Sequence, residues 1–384
     1  MRDVYVVSAV RTAIGKSRRT LSKFRPEDMG AAVVKEVLER SGVPGEDIQD
    51  VTIGCAYPEA EQGMNMARLI VLRAGLPDTV PAMTINRFCS SGLESQAITA
   101  SKIRSGLFDV AIAGGVETMS MISMSGTKYA PNPWLAENYP DAYSSMGNCG
   151  DNVARDFKIT RAEMDEWAYI SVQRAIAAID AGKFKSQIVP LEVPTGNGKA
   201  ITFDTDEGPR RDTTPEGLAK LRPAFAAKNG FCTAGNSSQT SDGAAAVLLM
   251  SEDAVKKYGV KPMGKLLGYC AAADKPIYLG PAQLKAIPRA LELSGIKVSD
   301  LGLIENNEAF ASQFLLVMRE LNLPRDITNV NGGAIALGHP LGCTGAKLTT
   351  QILHEMQDRG VKYGLVTMCI GGGMGAAGVF ELCQ

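Results

Sequence analysis

Two cysteines of this chain stand where an apolar run meets a turn of small residues. They lie in the segments Asn86-Arg87-Phe88-Cys89-Ser90-Ser91-Gly92 and Cys369-Ile370-Gly371-Gly372-Gly373. A thiolate is a strong nucleophile, and a second thiol can give or take a proton when its pKa lies near the working pH. Together with the histidine of Gly338-His339-Pro340, these side chains suggest acyl transfer through a thioester.

The surroundings of Cys89 favour a reactive thiol. A strand is predicted over Pro81–Asn86 and a helix over Leu93–Arg104, so Cys89 would lie close to the start of a helix. The positive end of the helix dipole is expected to lower the pKa of such a thiol. A buried structural cysteine is the alternative, because free cysteines are commonly core residues.

Histidine is scarce, since the chain has only two. His354 lies in an amphipathic helical stretch, which indicates a packing or surface residue. His339 lies in the irregular, glycine-rich stretch Asn331–Gly342, and Pro340 restricts it to an extended backbone. A neutral imidazole there could take the proton of a thiol. The alternative is a histidine that only hydrogen-bonds its own loop.

Two further segments could serve the same chemistry. Cys369 ends a strand predicted over Gly364–Met368, and the glycines after it leave amides uncovered, so the amide of Gly371 could stabilise an oxyanion. A core cysteine is again the alternative. Asn307 follows a strand predicted over Leu301–Ile304 and could fix a water or a carbonyl, or else cap a helix.

The elements that must position these residues alternate between short strands and amphipathic helices. This order predicts α/β layers with a largely parallel sheet. Residues 118–240 are rich in turns around one long helix, Arg161–Ala181, which indicates an inserted lid. A faint internal repeat pairs the Cys89 region with a second unit, in which a strand is predicted over Asn329–Asn331 and a helix after Thr344-Gly345.

Composition excludes several classes of protein. Of 384 residues, 45% are hydrophobic and 21% charged, and 40 Lys and Arg nearly balance 41 Asp and Glu, so no nucleic-acid partner is expected. The eight cysteines form no C-x-x-C pair, so no metal site is expected. The strand pattern begins at Val4, so no leader segment is expected ahead of it. No apolar run is long enough to span a membrane. We therefore expect free thiols in the cytoplasm, with disulfides in a secreted protein as the alternative.

The chain resembles the thiolase family over essentially its whole length. Six segments carry the resemblance: Asn86–Leu93, Gly114–Ser120, Thr233–Ser238, Asn307–Ala311, Gly338–Gly342 and Cys369–Gly373. The resemblance implies the thiolase fold, in which two similar βαβαβαββ halves form a five-layered α-β-α-β-α sandwich with an inserted loop domain. The implied domains are residues 1–117 plus 241–262, the loop domain 118–240, and residues 263–384.

The resemblance also implies catalytic roles. Cys89 would be the acylated nucleophile, His339 would activate it, and Cys369 would be the general acid and base. One oxyanion site would use His339 and a water held by Asn307. The second would use the amides of Cys89 and Gly371.

Contacts to coenzyme A are implied in the same way. Phe310 would line the acyl pocket, Ser238 would hydrogen-bond the pantetheine, and Arg210 would contact the nucleotide end. An exposed arginine pair is otherwise ordinary solvated surface. Met146 belongs to the same substrate-binding set, although Ser145 precedes it where several short-chain thiolases carry a histidine.

The implied reaction is the thiolysis of 3-ketoacyl-CoA by CoA, which yields acetyl-CoA and a shortened acyl-CoA. Coenzyme A would be a substrate, and no permanently bound cofactor is expected. The alternatives are an acetoacetyl-CoA thiolase working in the biosynthetic direction and a non-catalytic CoA- or lipid-binding relative. A homodimer or homotetramer is expected, while the preferred acyl length stays open.

Overall fold

The computed structural model describes residues 2–196, 198–226 and 228–383. Within these ranges the strands are β1 (Val4–Thr12), β2 (Gly15–Lys16), β3 (Val51–Gly54), β4 (Ala82–Ile85), β5 (Val110–Thr118), β6 (Ile188–Val189), β7 (Leu191–Gly196), β8 (Lys199–Phe203), β9 (Ser241–Ser251), β10 (Gly264–Ala273), β11 (Leu303–Asn306), β12 (Tyr363–Ile370) and β13 (Met374–Leu382). The helices are α1 (Pro26–Ser41), α2 (Met66–Ala74), α3 (Ser91–Arg104), α4 (Pro133–Asn138), α5 (Met146–Asp156), α6 (Arg161–Asp180), α7 (Pro215–Ala219), α8 (Glu252–Tyr258), α9 (Gln283–Ser294), α10 (Ala311–Glu320), α11 (Ala334–Leu337) and α12 (Leu341–Arg359).

One continuous sheet joins two halves. Its strand order is β11-β12-β13-β10-β1-β9-β5-β3-β4, and the antiparallel pairing of β1 with β10 connects the halves. The predicted largely parallel sheet is wrong, because only β3–β4, β3–β5 and β11–β12 are parallel along this path. The turn Gly371–Gly373 shows why, since it joins β12 directly to β13 and so forces antiparallel pairing. Gly372 and Gly373 there have φ of 79° and 75°, which glycine adopts readily.

Five layers of helix and strand alternate, which confirms the predicted fold class. The helices α1 and α2 cover the first half of the sheet, α3 and α12 lie between the halves, and α9 packs on the second half. Side chains of β9 alternate accordingly. Leu248 and Met250 belong to the core under α1, whereas Val247 and Leu249 belong to the central core with α3 and α12. The helices α3 and α12 begin two residues after Cys89 and His339, so their N-terminal ends lie at the site.

The strand predicted over Asn329–Asn331 is wrong. Only Thr328 forms an isolated bridge to Ile304 of β11, and Asn329 has a φ of 47°, which ends the extended backbone. The Asn329 side-chain amide extends the short backbone pairing of Ile304 with Ile327 and Asn329 by one residue along β11. It accepts a hydrogen bond from Asn306 N at 2.9 Å and donates one to Asn306 O at 2.8 Å.

The segment between β5 and β9 holds α4–α7 and β6–β8. Its long helix α6 begins with a capping box in which Thr160 and Glu163 satisfy each other's backbone amides. The domain boundaries stated above stay a prediction. Among the described residues, no helix has both the length and the apolar character needed to cross a bilayer.

Candidate active site

The turn that carries Cys89 is held by local hydrogen bonds. Asn86 Oδ1 accepts from the Phe88 amide at 2.8 Å, and the Ser91 hydroxyl donates to Phe88 O at 2.7 Å. Phe88 has a φ of 42°, so the chain turns sharply just before the cysteine. Cys89 therefore lies in a short turn immediately ahead of α3, and its side chain is buried.

Burial dominates the electrostatics of Cys89. It raises the pKa of this thiol to about 11, although the amides of Gly371 and Cys89 itself lower it. The expected lowering of the Cys89 pKa is therefore wrong. The partial charge at the helix start is outweighed by the loss of solvation, so a base must take the proton when the sulfur attacks.

His339 is fixed from several sides between α11 and α12. Its backbone amide donates to Gln239 O at 3.1 Å, and its Nδ1 lies 2.6 Å from the hydroxyl of Thr344. Burial lowers the pKa of His339 to about 3, and the nearby positive charge of Lys347 adds to this effect. The imidazole is therefore neutral at pH 7, as a base that accepts a thiol proton must be.

One cavity of about 230 Å³ brings the three reactive side chains together. It is lined by Cys89, His339 and Cys369. Burial, with a contribution from neighbouring Cys89, raises the pKa of Cys369 well above its usual range. Phe310 and Met146 line the same cavity, so the predicted acyl-side residues lie beside the predicted catalytic ones.

Asn307 and Gly371 adjoin this cavity. Asn307 Nδ2 lies 3.4 Å from His339 Nε2, and Asn307 Oδ1 is buried without a partner among the described residues. Asn307 does not cap a helix, because α10 begins at Ala311 with Phe310 in the capping position. The amide of Gly371 reaches the Cys89 sulfur, so two backbone donors converge there.

A second groove, of about 440 Å³, leads away from the cavity. Both spaces share the lining residues Phe225, Ser237, Ser238, Gln239 and Thr240. Ser238 therefore lies at the junction, and Arg210 lies in the outer groove. The family resemblance implies that Ser238 contacts the pantetheine and Arg210 the nucleotide end of coenzyme A.

Two residues that line the site have no role among the sequence predictions. Lys16 lines the outer groove beside Arg210, and burial together with the charges of Arg210 and Arg19 lowers its pKa. The basic run Lys16-Ser17-Arg18-Arg19 in a nearly neutral chain was the available signal. Met119 lines the cavity and packs against Cys89. It lies in the family-like segment Gly114–Ser120, which was the available signal, but no role was inferred for it.

Comparison with known sequences agrees with this geometry. The family model "Thiolase, N-terminal domain" matches residues 4–253, and "Thiolase, C-terminal domain" matches residues 260–382. A 3-ketoacyl-CoA thiolase of Bacillus subtilis strain 168 is 51% identical over 392 residues, covering 100% of both chains. An acetyl-CoA acetyltransferase of Pseudomonas aeruginosa is 43% identical over 390 residues, covering 98% of both chains.

Solved structures show the same fold. Human mitochondrial 3-ketoacyl-CoA thiolase superposes with a TM-score of 0.92 at 38% identity, covering 99% of both chains. The acetyl-CoA acetyltransferase of Bacillus anthracis superposes with a TM-score of 0.91 at 38% identity, covering 100% of this chain and 99% of the other.

Proposed function

The chain belongs to the thiolase family, and we propose that it is an acyltransferase that cleaves 3-ketoacyl-CoA with coenzyme A. The observation that carries the proposal is the single cavity lined by Cys89, His339 and Cys369. The relatives named 3-ketoacyl-CoA thiolase support this substrate class. The reaction proceeds in two half-reactions and is reversible.

In the first half-reaction, His339 takes the proton of Cys89 while the sulfur attacks C3 of the substrate. The C2–C3 bond then breaks, and the Cys369 thiol gives its proton to C2 as acetyl-CoA leaves. The protonated Nε2 of His339, with a water held by Asn307, stabilises the thioester oxygen of the enolate. The amides of Cys89 and Gly371 stabilise the oxyanion that forms on the acyl group.

In the second half-reaction, the Cys369 thiolate takes the proton of the incoming CoA thiol. The CoA sulfur attacks the acyl carbon on Cys89, and the shortened acyl-CoA leaves as the Cys89 sulfur recovers its proton from His339. Each group thus returns to its starting state. Coenzyme A is a substrate in this scheme, and no permanently bound cofactor takes part.

The groove beside the cavity supports coenzyme A as the thiol substrate. Lys16 and Arg210 bring two positive charges together in its outer part, which suits the phosphates of the nucleotide. Ser238 at the junction lies where the pantetheine must pass. Phe310 and Met146 line the acyl side.

The assay that tests the proposal is thiolysis of 3-ketoacyl-CoA substrates of increasing length, followed with the wild type and Cys89→Ser. We expect thiolysis by the wild type and its loss in the variant, with Cys270→Ser as a control because Cys270 is half-buried on β10. Full thiolysis by Cys89→Ser would refute the nucleophile. Activity on long substrates would favour a degradative role in fatty acid β-oxidation.

A second candidate function is the condensation of two acetyl-CoA molecules to acetoacetyl-CoA. It is favoured by the relatives named acetyl-CoA acetyltransferase. The chain-length series decides between them, because an enzyme dedicated to acetoacetyl-CoA would reject longer substrates. A non-catalytic CoA- or lipid-binding protein is disfavoured, because it would not need the three reactive groups in one cavity.

We further propose a cytoplasmic homodimer or homotetramer. Among the described strands, β4 pairs only with β3, so its outer edge is open to another copy. Light scattering after gel filtration would give the number of subunits.

A further inference from the structure

Thr344 is a buried threonine in the first turn of α12, five residues after His339. Its hydroxyl oxygen lies 2.6 Å from His339 Nδ1 and 2.8 Å from Pro340 O. No role was assigned to Thr344 by the sequence motifs, although it lies next to the imidazole. The two contacts together restrict where the imidazole proton can be.

The single hydroxyl proton of Thr344 can go to only one of these two neighbours, and a carbonyl oxygen can only accept. If the hydroxyl donates to Pro340 O, as threonines in helices commonly do, it accepts from His339 and the imidazole proton is on Nδ1. If it donates to Nδ1 instead, the imidazole proton is on Nε2. The neighbour of Nε2 therefore decides between the two arrangements.

The other side of the ring agrees with this assignment. His339 Nε2 lies 3.4 Å from Asn307 Nδ2, which is an N–H donor. A proton on Nε2 would place two donors face to face, whereas a bare Nε2 accepts. With the amide nitrogen of Asn307 toward the ring, as the structure has it, Nε2 accepts, and the arrangement in which Thr344 donates to Pro340 O is the one that fits both sides of the ring.

We infer that Thr344 is a positioning residue that holds His339 with its proton on Nδ1 and so keeps Nε2 as the basic nitrogen for Cys89. The inference rests on the proposed function, in which His339 takes the thiol proton. Without this contact the Nδ1 proton would have no acceptor, and only the 3.4 Å contact with Asn307 would oppose a proton on Nε2, where the ring could not act as the base. Thr344 acts only through His339 and contacts no substrate.

The two histidines of the chain make a direct spectroscopic test possible. His354 Nε2 lies 3.1 Å from Ala9 O, and since a carbonyl only accepts, His354 must carry its proton on Nε2. Nitrogen-15 NMR of histidine-labelled enzyme should therefore show two imidazoles in opposite tautomers. The variant His354→Gln assigns the two spectra, and a proton on Nε2 of His339 in the wild type would overturn the inference.

Substitutions of Thr344 can distinguish the effect of its hydroxyl group from the effect of its side-chain shape. Thr344→Val has nearly the same shape, and Pro340 O still accepts from the backbone amides of residues 343 and 344 at 3.0 and 2.9 Å. We expect this variant to lose the Nδ1–H tautomer and to lose about 10- to 100-fold in kcat, with little change in KM for CoA. Thr344→Ser should restore the tautomer and most of kcat.

A matched control is available on the same helix. Thr350 is fully buried and donates to Ala346 O at 3.0 Å, one turn back, without contacting His339. Thr350→Val should leave the His339 spectrum unchanged. If Thr344→Val keeps both the wild-type tautomer and the wild-type kcat, the inference fails while the proposed function stands. If the wild type shows no thiolysis, the proposed function fails, whatever the tautomer.

Discussion

Glu117, at the end of β5, accepts a hydrogen bond from the backbone amide of Gly342 at 2.8 Å. This contact ties the first turn of α12, just after His339, to the first half of the sheet. The same oxygen accepts from Ala56 N at 2.8 Å, and the other accepts from Gln62 Nε2 at 2.6 Å. A single buried carboxylate thus links three segments around the cavity.

Glu117→Gln should destabilise the protein and slow catalysis. Both carboxylate oxygens face N–H donors, so either orientation of the glutamine amide brings its NH₂ group against a donor. A buried donor without a partner costs about 1–3 kcal/mol. Urea unfolding should show this loss, and kcat should fall because the His339 loop is no longer held.

The control for Glu117→Gln is Glu305→Gln. Burial raises the pKa of Glu305 to about 8, although the charge of Lys347 opposes this, and one of its oxygens has no partner among the described residues. Burial favours the neutral form of Glu305, which glutamine resembles, whereas the hydrogen bonds that Glu117 accepts favour its carboxylate, so we expect Glu305→Gln to lose less stability. Equal losses of stability in both variants would contradict a specific role for the Glu117 carboxylate.

Cys369→Ala should separate the two half-reactions. Without the Cys369 thiol, nothing removes a proton from C2 of acetyl-CoA, so exchange of its methyl protons with D₂O should fall at least about 100-fold. Acylation of Cys89 should persist and is measured by mass spectrometry of the intact protein. Cys343→Ala is the control, because Cys343 is buried on α12 among Ala245 and Ala346. Undiminished exchange in Cys369→Ala would refute the role.

The sequence predicted those parts of the site that depend on local chain geometry. Cys89 lies between a strand and a helix, and His339 follows Gly338, whose φ of 90° marks a true turn. Both were recognisable because glycine, proline and small residues accumulate where a side chain is exposed to a ligand. The same turn segments carry the family resemblance, and that resemblance predicted the five-layered order of elements.

The features of the fold and site that the sequence did not predict depend on contacts between distant segments. The pKa of Cys89 follows from burial among Ala56, Met119 and Leu341, which lie far apart in the sequence, so no local pattern shows it. The strand expected at Asn329–Asn331 is absent because Asn329 has a positive φ, and its side-chain amide bonds Asn306, 23 residues earlier, instead. Thr344 had no recognisable signal either, because its role depends on which proton its neighbour carries.

Arg210→Ala should weaken the binding of CoA while leaving the chemistry largely intact. Arg210 lines the outer groove together with Lys16, far along the path that the nucleotide would take. We expect KM for CoA to rise about tenfold, corresponding to about 1.4 kcal/mol, and the difference from wild type to shrink at high salt. Steady-state thiolysis at varied CoA and varied ionic strength measures both effects.

Arg211 is the control for Arg210. It forms an exposed ion pair with Asp180, with Nη2 and Oδ1 2.6 Å apart, and exposed pairs contribute little. Arg211→Ala should therefore leave KM for CoA close to the wild-type value. Equal effects of both substitutions would mean that only the overall positive charge of this loop matters.

His339 should make stability depend on pH in the acid range. Its pKa is about 3 in the folded protein and 6.5 in an unfolded chain, so between these values the unfolded state binds more protons. Stability therefore falls as the pH drops from 6.5 towards 3, by up to about 1.4 kcal/mol per pH unit from this one group.

His339→Asn removes the group, and Asn can still reach the hydroxyl of Thr344. The difference in unfolding free energy between wild type and variant, measured by urea unfolding at several pH values, should change with this slope. Parallel curves for the two proteins between pH 4 and 6.5 would show that His339 is protonated in the folded state and that burial does not keep it neutral.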